Sequence, residues 1–276
     1  MSKNWWKILA SVLVLFSIIG GLLFQVPAKP ILNESIRNIY FHVPMWFAMI
    51  IMLLVSVIYS IKYLNTGNEN HDLAAVESAN VGIVFGILGL VTGAVWAKYT
   101  WGEAWSNDPK QNSAAIALLV YMAYLVLRNS LEEEQKRAKI SAVYNVFAFP
   151  IMVILLFVLP RMTDSLHPGN GGNPGFNTKD MAPELRPIFY PACIGWILIS
   201  AWITNIRYRI RKIETIMSSK EINNNAHNSF IAVERSNSNN ETIMSSSSQK
   251  EMNNAHDSFI TTKKTIYSNE NKQQSV

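Results

Sequence analysis

The sequence predicts an all-α integral membrane protein, a bundle of six transmembrane helices followed by a disordered C-terminal tail. Only 16% of the 276 residues are charged, against about 25% in soluble domains. Six separate apolar stretches are long enough to cross a bilayer, whose hydrocarbon core needs about 20 residues of helix. After residue 206 the composition changes to Ser, Asn, Lys and Glu. The chain therefore divides into a membrane domain, residues 1–206, and a polar tail, residues 207–276.

The six predicted spans cover residues 8–26, 44–64, 81–98, 109–127, 142–160 and 187–206. The fourth has the shortest apolar run. Asp108 and Pro109 extend it, because aspartate caps a first helical turn and proline fits its first position. Small residues recur at spacings of three and four around the third span, which predicts close packing against neighbouring helices. They are Ser78, Gly82, Gly86, Gly89 and Gly93.

Lysine and arginine are unevenly divided between the two sides of the predicted bundle. With six spans, both termini and the second and fourth connections share one side, and that side carries more of the positive charge. Its basic residues are Lys3, Lys7, Lys62, Arg128, Lys136, Arg137, Lys139, Arg207, Arg209, Arg211 and Lys212. Because positive loops stay in the cytoplasm, we expect a multi-pass protein of the bacterial inner membrane with both termini cytoplasmic. Reading the first span as a cleaved signal peptide instead leaves the side of every later loop unchanged.

Composition also excludes several functions. The net charge of +5 suggests nucleic-acid binding at first sight, but the basic residues lie at the ends of apolar segments rather than on one soluble face. A single cysteine, Cys193, excludes an internal disulfide framework and a CxxC redox pair. No bond-making group is identifiable. We therefore expect a protein that is not an enzyme, with the lipid bilayer rather than nucleic acid as its partner.

The predicted tail, residues 207–276, has too few large apolar residues to build a core. Residues 214–219 recur as 241–246, and residues 225–231 recur with one change as 254–260. A duplication supplies a second histidine automatically, so His227 and His256 are not predicted to be metal ligands. We expect the tail to be disordered and cytoplasmic.

Two histidines fall on the predicted outer side of the membrane. His42 comes shortly before Pro44, which we expect to open the second span. His167 follows the fifth span and precedes a stretch rich in Pro, Gly and Asn. We therefore expect each imidazole to lie on a loop beside a helix end.

A tryptophan-rich connection lies on the same side, between these histidines in the sequence. It contains Trp96, Trp101 and Trp105. An aromatic belt at the membrane interface also enriches tryptophan, but it does not predict this concentration in one connection. Gly102 is expected to allow close backbone approach there, and Asp108 to fix the start of the next helix. The two histidines and the tryptophans are therefore predicted to meet above one leaflet.

This combination favours a large, flat, apolar ligand with a metal at its centre. Indole faces accept such a ring, and two neutral imidazoles can coordinate its metal from both sides. Haem has this shape, and its two propionates need cationic or hydrogen-bonding partners. The sequence offers five candidates and does not distinguish them: Arg37, Lys98, Lys110, Arg161 and Arg186.

At these residues the sequence resembles the tryptophan-rich haem-handling proteins of the cytochrome c assembly protein family, and most of all the haem exporter protein C family, CcmC. The family loop reads roughly Trp-Gly-x-x-Trp-x-Trp-Asp, often followed by Pro-Lys or Ala-Arg. Residues 101–110 match it, except that Asn107 replaces the third tryptophan and removes one ring from the platform. The histidine segments, residues 41–44 and 166–169, also match, and the resemblance covers nearly all of residues 1–206.

The resemblance implies a specific function. Such a protein binds haem at the outer, periplasmic membrane face and delivers it to a periplasmic haem chaperone for cytochrome c maturation, in association with ABC transporter subunits. The haem is expected to be b-type and non-covalently held, as the transported ligand. The implied axial ligands of the iron are His42 and His167, and the residues implied to shape the site are Trp96, Trp101, Gly102, Trp105 and Asp108.

Two other functions are compatible with the sequence. A multi-span small-molecule transporter would use the aromatic loop only as an interfacial anchor, although the broken helices and inverted repeats typical of transporters are not evident. A structural membrane subunit without haem would need the tryptophans for insertion or stability only.

Overall fold

The computed structural model describes residues 4–28, 31–167 and 181–273. Within these ranges the α-helices are α1 (Trp5–Leu23), α2 (Ile39–Thr66), α3 (Glu69–Trp101), α4 (Pro109–Asn129), α5 (Glu134–Val153) and α6 (Arg186–Gln273). A 3-10 helix, Asn33–Asn38, leads into α2, and a second one, Pro183–Leu185, leads into α6. A π-helical segment, Ile154–Val158, and a 3-10 turn, Leu159–Arg161, extend α5.

Each of these six helical segments is long and apolar enough to cross a membrane. The predicted fold class, an all-α membrane protein with six spans, is therefore confirmed. We call the end where α2, α4 and α6 begin the outer end of the bundle, after its predicted orientation, and the opposite end the inner end.

Several helices extend beyond the predicted spans because their polar ends continue past the apolar core. The helix α3 begins at Glu69, where the Asn68 side chain accepts a hydrogen bond of 2.9 Å from the Asn70 backbone N–H. The helix α2 begins at Ile39, so the prediction that Pro44 opens it is wrong. The preceding 3-10 helix supplies the first turn, and Pro44 removes only one hydrogen bond near the start of α2. His42 consequently lies in a helix rather than on a loop.

The stripe of small residues on α3 packs directly against α2, as predicted. A Cβ atom added at any of four glycines would lie only 2.5 to 3.0 Å from an α2 side chain. Because real Cβ atoms very rarely approach this closely, the glycines permit this separation of the two helices, and a larger residue would require a neighbour to move. The facing pairs are Gly82 with Leu53, Gly86 with Met49, Gly89 with Trp46, and Gly93 with His42.

Polar contacts join the helices at the inner end. Both Asp72 carboxylate oxygens in α3 accept hydrogen bonds, of 2.8 and 2.6 Å, from Arg128 in α4. The buried Glu77 carboxylate in α3 lies 2.6 Å from Arg207 and 3.5 Å from Arg211, both in α6. Buried charges of this kind are stable only when paired. These pairs therefore fix α4 and α6 against α3.

The chain divides into two compact units, Met1–Ile213 and Glu214–Val276. Where the sequence predicts a disordered tail, the structure has α6 continuing to Gln273. Residues 207–276 contain no glycine or proline, so no helix-breaking residue interrupts the helix. Side chains 214–230 are all exposed. A helix in water is normally stabilised by packing of an apolar face, and this stretch buries no such face.

Candidate functional site

A cavity of about 360 Å³ opens at the outer end between α2, α3, α4 and the extension of α5. Apolar and aromatic side chains form most of its wall, including Trp46 and Phe47 of α2 and Phe157 of the π-helical segment. Four of the predicted site residues line it: His42, Trp96, Trp105 and His167. The structure thus brings together both predicted histidines and two of the three predicted tryptophans.

His42 reaches the cavity from the first turns of α2. Its Nδ1 atom lies 2.9 Å from the backbone carbonyl oxygen of Gly89 in α3. A carbonyl oxygen can only accept, so Nδ1 carries the proton, and Nε2 of the neutral ring keeps a lone pair. The ring fits beside α3 only because Gly93 has no side chain, since an added Cβ would lie 2.5 Å from Cε1 of His42.

His167 is held from the start of α4 through Asp108. Its Nδ1 atom lies 2.8 Å from Oδ1 of Asp108. The Asp108 carboxylate also accepts hydrogen bonds from the Ser165 hydroxyl at 2.8 Å, the Leu166 backbone N–H at 2.7 Å and the Lys110 backbone N–H at 2.9 Å. A single buried carboxylate therefore caps α4 and orients the histidine. The Pro/Gly/Asn-rich stretch that follows, residues 168–180, lies outside the described residues.

The electrostatics of this pair leave His167 neutral and Asp108 ionised at neutral pH. Burial lowers the pKa of His167 below its ordinary value, although the Asp108 carboxylate opposes the shift. Burial alone would raise the pKa of Asp108, but hydrogen bonds from Leu166 N–H and the Ser165 hydroxyl outweigh it and lower the pKa. A neutral imidazole that donates through Nδ1 to a carboxylate presents the Nε2 lone pair, the arrangement found in metal-ligating histidines.

The three predicted tryptophans have different positions. The Trp96 ring lies 5.9 Å from the His42 ring, centroid to centroid, and its Nε1–H donates to the Ser35 hydroxyl at 3.2 Å. The Trp101 ring contacts the His167 ring edge-on at 4.7 Å. Trp105 is 38% exposed at the cavity, which leaves one wall of the site accessible from outside.

The two small residues of this loop act through backbone conformation. Gly102 ends α3 with φ of +86°, a conformation that favours glycine. Within the described part of the chain, no atom lies within 4 Å of a Cβ added there, so the role of Gly102 in close backbone approach stays a prediction. Asn107 has φ of +56° and is exposed. Asparagine tolerates this left-handed conformation better than tryptophan does.

The structure separates the five candidate cations. Lys110 and Arg161 line the cavity. Arg37 donates to the carbonyl oxygens of Gly21 and Phe24 at the end of α1. The other two are not lining residues and donate to backbone carbonyls, Lys98 to Gly102 and Arg186 to Met181, of which Met181 lines the cavity.

Sequence reasoning missed two residues that shape this site. Trp46, which lies in the second predicted span, lines the cavity with its ring 6.3 Å from that of His42. Gln111 anchors the tryptophan loop, because its Oε1 accepts from the backbone N–H and hydroxyl of Ser106, each at 3.0 Å. The spacing from Asp108 to Gln111 matches a helix capping box, a signal that could have indicated Gln111.

These features define a multi-pass membrane protein with a cavity at one end of its helical bundle, where two imidazoles and several indoles meet. The family model described as Heme exporter protein C matches residues 1–225. The chain belongs to this family.

Individual relatives agree with this assignment. Heme exporter protein C of Haemophilus influenzae is 28% identical over 75% of this chain and 82% of the relative. The Escherichia coli K12 protein of the same name is 26% identical over 74% of this chain and 81% of its own length. The cytochrome c biogenesis protein CcsA of a Synechococcus strain is 38% identical over a shorter region, 32% of this chain and 29% of that protein.

Proposed function

We propose that this protein binds haem at the periplasmic membrane face and delivers it to a periplasmic haem chaperone during cytochrome c maturation. Membership of the Heme exporter protein C family supports haem handling. The proposal rests on the tautomer that the two histidines share. His42 and His167 line one cavity, and each uses Nδ1 for a hydrogen bond, to Gly89 and to Asp108 respectively. Both Nε2 atoms are therefore available as axial ligands.

The cavity chemistry fits an iron porphyrin better than a bare metal ion. Among the described residues, no group of three or more His, Cys, Asp or Glu side chains is placed to hold a metal ion. Two imidazoles suffice for haem, because the porphyrin supplies the other four iron ligands. The apolar and aromatic wall suits the ring, and Lys110 and Arg161 at the same cavity suit the propionates. A haem held in this way is b-type and non-covalent.

Transfer to another protein follows from the position of the site. The ligands lie at one end of the bundle rather than in its centre, and Trp105 at the cavity is partly exposed. A haem edge that stays open to solvent can reach an acceptor without unfolding of the bundle. The periplasmic chaperone as acceptor, the ABC transporter subunits as associated partners and the cytoplasmic location of both termini are parts of this proposal.

The absorption spectrum of the purified full-length protein tests the proposed function. Material from haem-replete cells should show the bands of six-coordinate, low-spin haem, because two imidazoles coordinate the iron. A protein without haem bands, or with five-coordinate haem alone, would contradict the proposal and favour a structural subunit or a small-molecule transporter.

Gly93→Ala tests whether the packing of α3 against α2 positions His42. The new Cβ would lie 2.5 Å from Cε1 of His42 and 3.0 Å from Nδ1, so the ring must move away from the Gly89 carbonyl. We expect the low-spin haem content to fall in this variant. The measurement is haem content per protein together with the melting temperature.

Gly82→Ala is the matched control, because it introduces the same methyl group between the same helices, 3.0 Å from Leu53. Overpacking of this kind costs about 1–3 kcal/mol of stability, and both variants should show a comparable loss. Only Gly93→Ala should lose haem beyond its loss of folded protein. Equal haem content in the two variants would show that Gly93 has no specific role in placing His42.

A further inference from the structure

A second cavity, of about 470 Å³, opens towards the inner end of the Met1–Ile213 unit, between α2, α3 and α6. It shares α2 and α3 with the outer cavity, but α6 replaces α4 and α5 as its third wall. Its lining combines apolar residues, such as Met52, Val55 and Ala74, with Tyr59, His71 and Tyr208. His71 lies in the first turn of α3. The function proposed above assigns no role to this cavity.

Thr66 contacts His71 through its hydroxyl group. The Thr66 Oγ1 atom lies 2.7 Å from the Lys62 carbonyl oxygen, to which it can donate, and 3.0 Å from His71 Nδ1. When the hydroxyl donates to Lys62, it accepts from His71 Nδ1–H, and the Nε2 atom then presents a lone pair.

The surroundings of His71 are aromatic and cationic. The Tyr59 ring lies 6.0 Å from the His71 ring, and Lys62 Nζ lies 5.0 Å from the centre of the Tyr59 ring. On the α6 side, Lys212 Nζ lies 6.0 Å from the Tyr208 ring. Arg207 and Arg211 pair instead with the buried Glu77. Lys62 and Lys212 thus lie beside the tyrosine walls of the cavity, although neither is itself a lining residue.

We propose that the inner cavity is a second haem site, in which His71 is the only protein ligand of the iron. This inference rests on the proposed function, haem handling by this protein, and adds a second binding site to it. The chemistry selects an iron porphyrin with two carboxylates. The His71 lone pair can bind iron, the tyrosine rings can contact the porphyrin, and Lys62 and Lys212 can pair with the propionates.

An anionic phospholipid is the alternative occupant of a basic cavity between transmembrane helices. It fits less well where His71 carries its proton on Nδ1, because a phosphate oxygen needs a donor and Nε2 then presents a lone pair. A single imidazole ligand also gives the site a distinct signature. Its haem should be five-coordinate and high-spin, unlike the six-coordinate, low-spin haem of the outer cavity.

Hemin titration of the full-length protein in phosphatidylcholine nanodiscs separates the two sites. In a His42→Ala/His167→Ala background, we expect one high-spin haem per protein. Adding His71→Ala should raise the dissociation constant at least about tenfold, the lower end of what even outer-shell partners of a metal ligand contribute. Adding His227→Ala instead, which removes an exposed histidine of the tail, should leave the titration unchanged.

Imidazole rescue distinguishes loss of the ligand from loss of the fold. His71→Gly in the same background should lose the high-spin bands, and free imidazole should restore them by occupying the vacated position. Titrations in nanodiscs that contain phosphatidylglycerol test the alternative occupant. The proposal is overturned if the background variant binds no haem, if His71→Ala leaves binding unchanged, or if imidazole restores nothing.

The two proposals fail in different ways. Wild-type protein without low-spin haem contradicts the proposed function at the outer cavity. Wild-type protein with low-spin haem, combined with a background variant that shows no His71-dependent binding, contradicts the inner site alone.

Discussion

Replacing His42 and His167 together with alanine is expected to abolish the six-coordinate, low-spin haem spectrum. The two Nε2 lone pairs are the axial ligands proposed for the outer cavity, and no other histidine among the described residues lines it. Each single variant should retain one ligand and shift the iron towards a five-coordinate, high-spin state. Any haem that the double variant retains should be high-spin and should disappear when His71 is also replaced. Absorption and resonance Raman spectra of the purified variants measure these states.

The same variants should lose function in the cell. Cytochrome c maturation in a strain that depends on this protein should fall to the level of a strain without it, while the protein stays in the membrane at normal abundance. His227→Ala/His256→Ala is the matched control, because it removes two histidines from the tail and none from the bundle. A double variant with an unaltered low-spin spectrum would eliminate both residues as ligands.

The sequence predicts the fold well because the bilayer imposes a strong local rule. A helix that crosses it needs a long apolar run, so six runs predict six spans without knowledge of their packing. The glycine spacing in α3 predicts close helix contact for a similarly local reason. Helix ends are predicted less well. Ile39 rather than Pro44 begins α2, because the preceding 3-10 helix already supplies a helical turn before Pro44.

The candidate site depends on contacts that no local pattern contains. The number of spans predicts one side for His42, His167 and the tryptophans, and the structure places both histidines at one cavity. The sequence could not indicate that Asp108 contacts His167, because these residues are far apart in the chain. Only the folded chain brings the loop after α5 next to the start of α4. The sequence also could not indicate that Gly89 supplies the carbonyl for His42. Both contacts set the tautomer of a proposed ligand, so the sequence suggests the ligands but not the reason that they can bind.

Asp108→Asn is expected to be the most damaging single change outside the two histidines. The carboxylate accepts hydrogen bonds from four donors, on Lys110, Ser165, Leu166 and His167. An asparagine of nearly the same shape has one acceptor oxygen and an NH2 group, which cannot accept from any of them. Where this NH2 group faces His167, it favours the tautomer with the proton on Nε2, which cannot bind iron. The helix cap and the orientation of His167 are both weakened.

The expected consequence is a fall in haem affinity of about 10- to 100-fold, the typical effect of removing an outer-shell partner of a metal ligand. Hemin titration measures the affinity, and the loss of low-spin character shows whether His167 has left the iron. Asp164→Asn is the matched control, since it makes the same chemical change at an exposed carboxylate of the same loop. Ser165→Ala removes only one of the four donors and should have an intermediate effect. If Asp108→Asn and Asp164→Asn bind haem equally well, Asp108 does not position His167 for iron, and its hydrogen bonds only stabilise the start of α4.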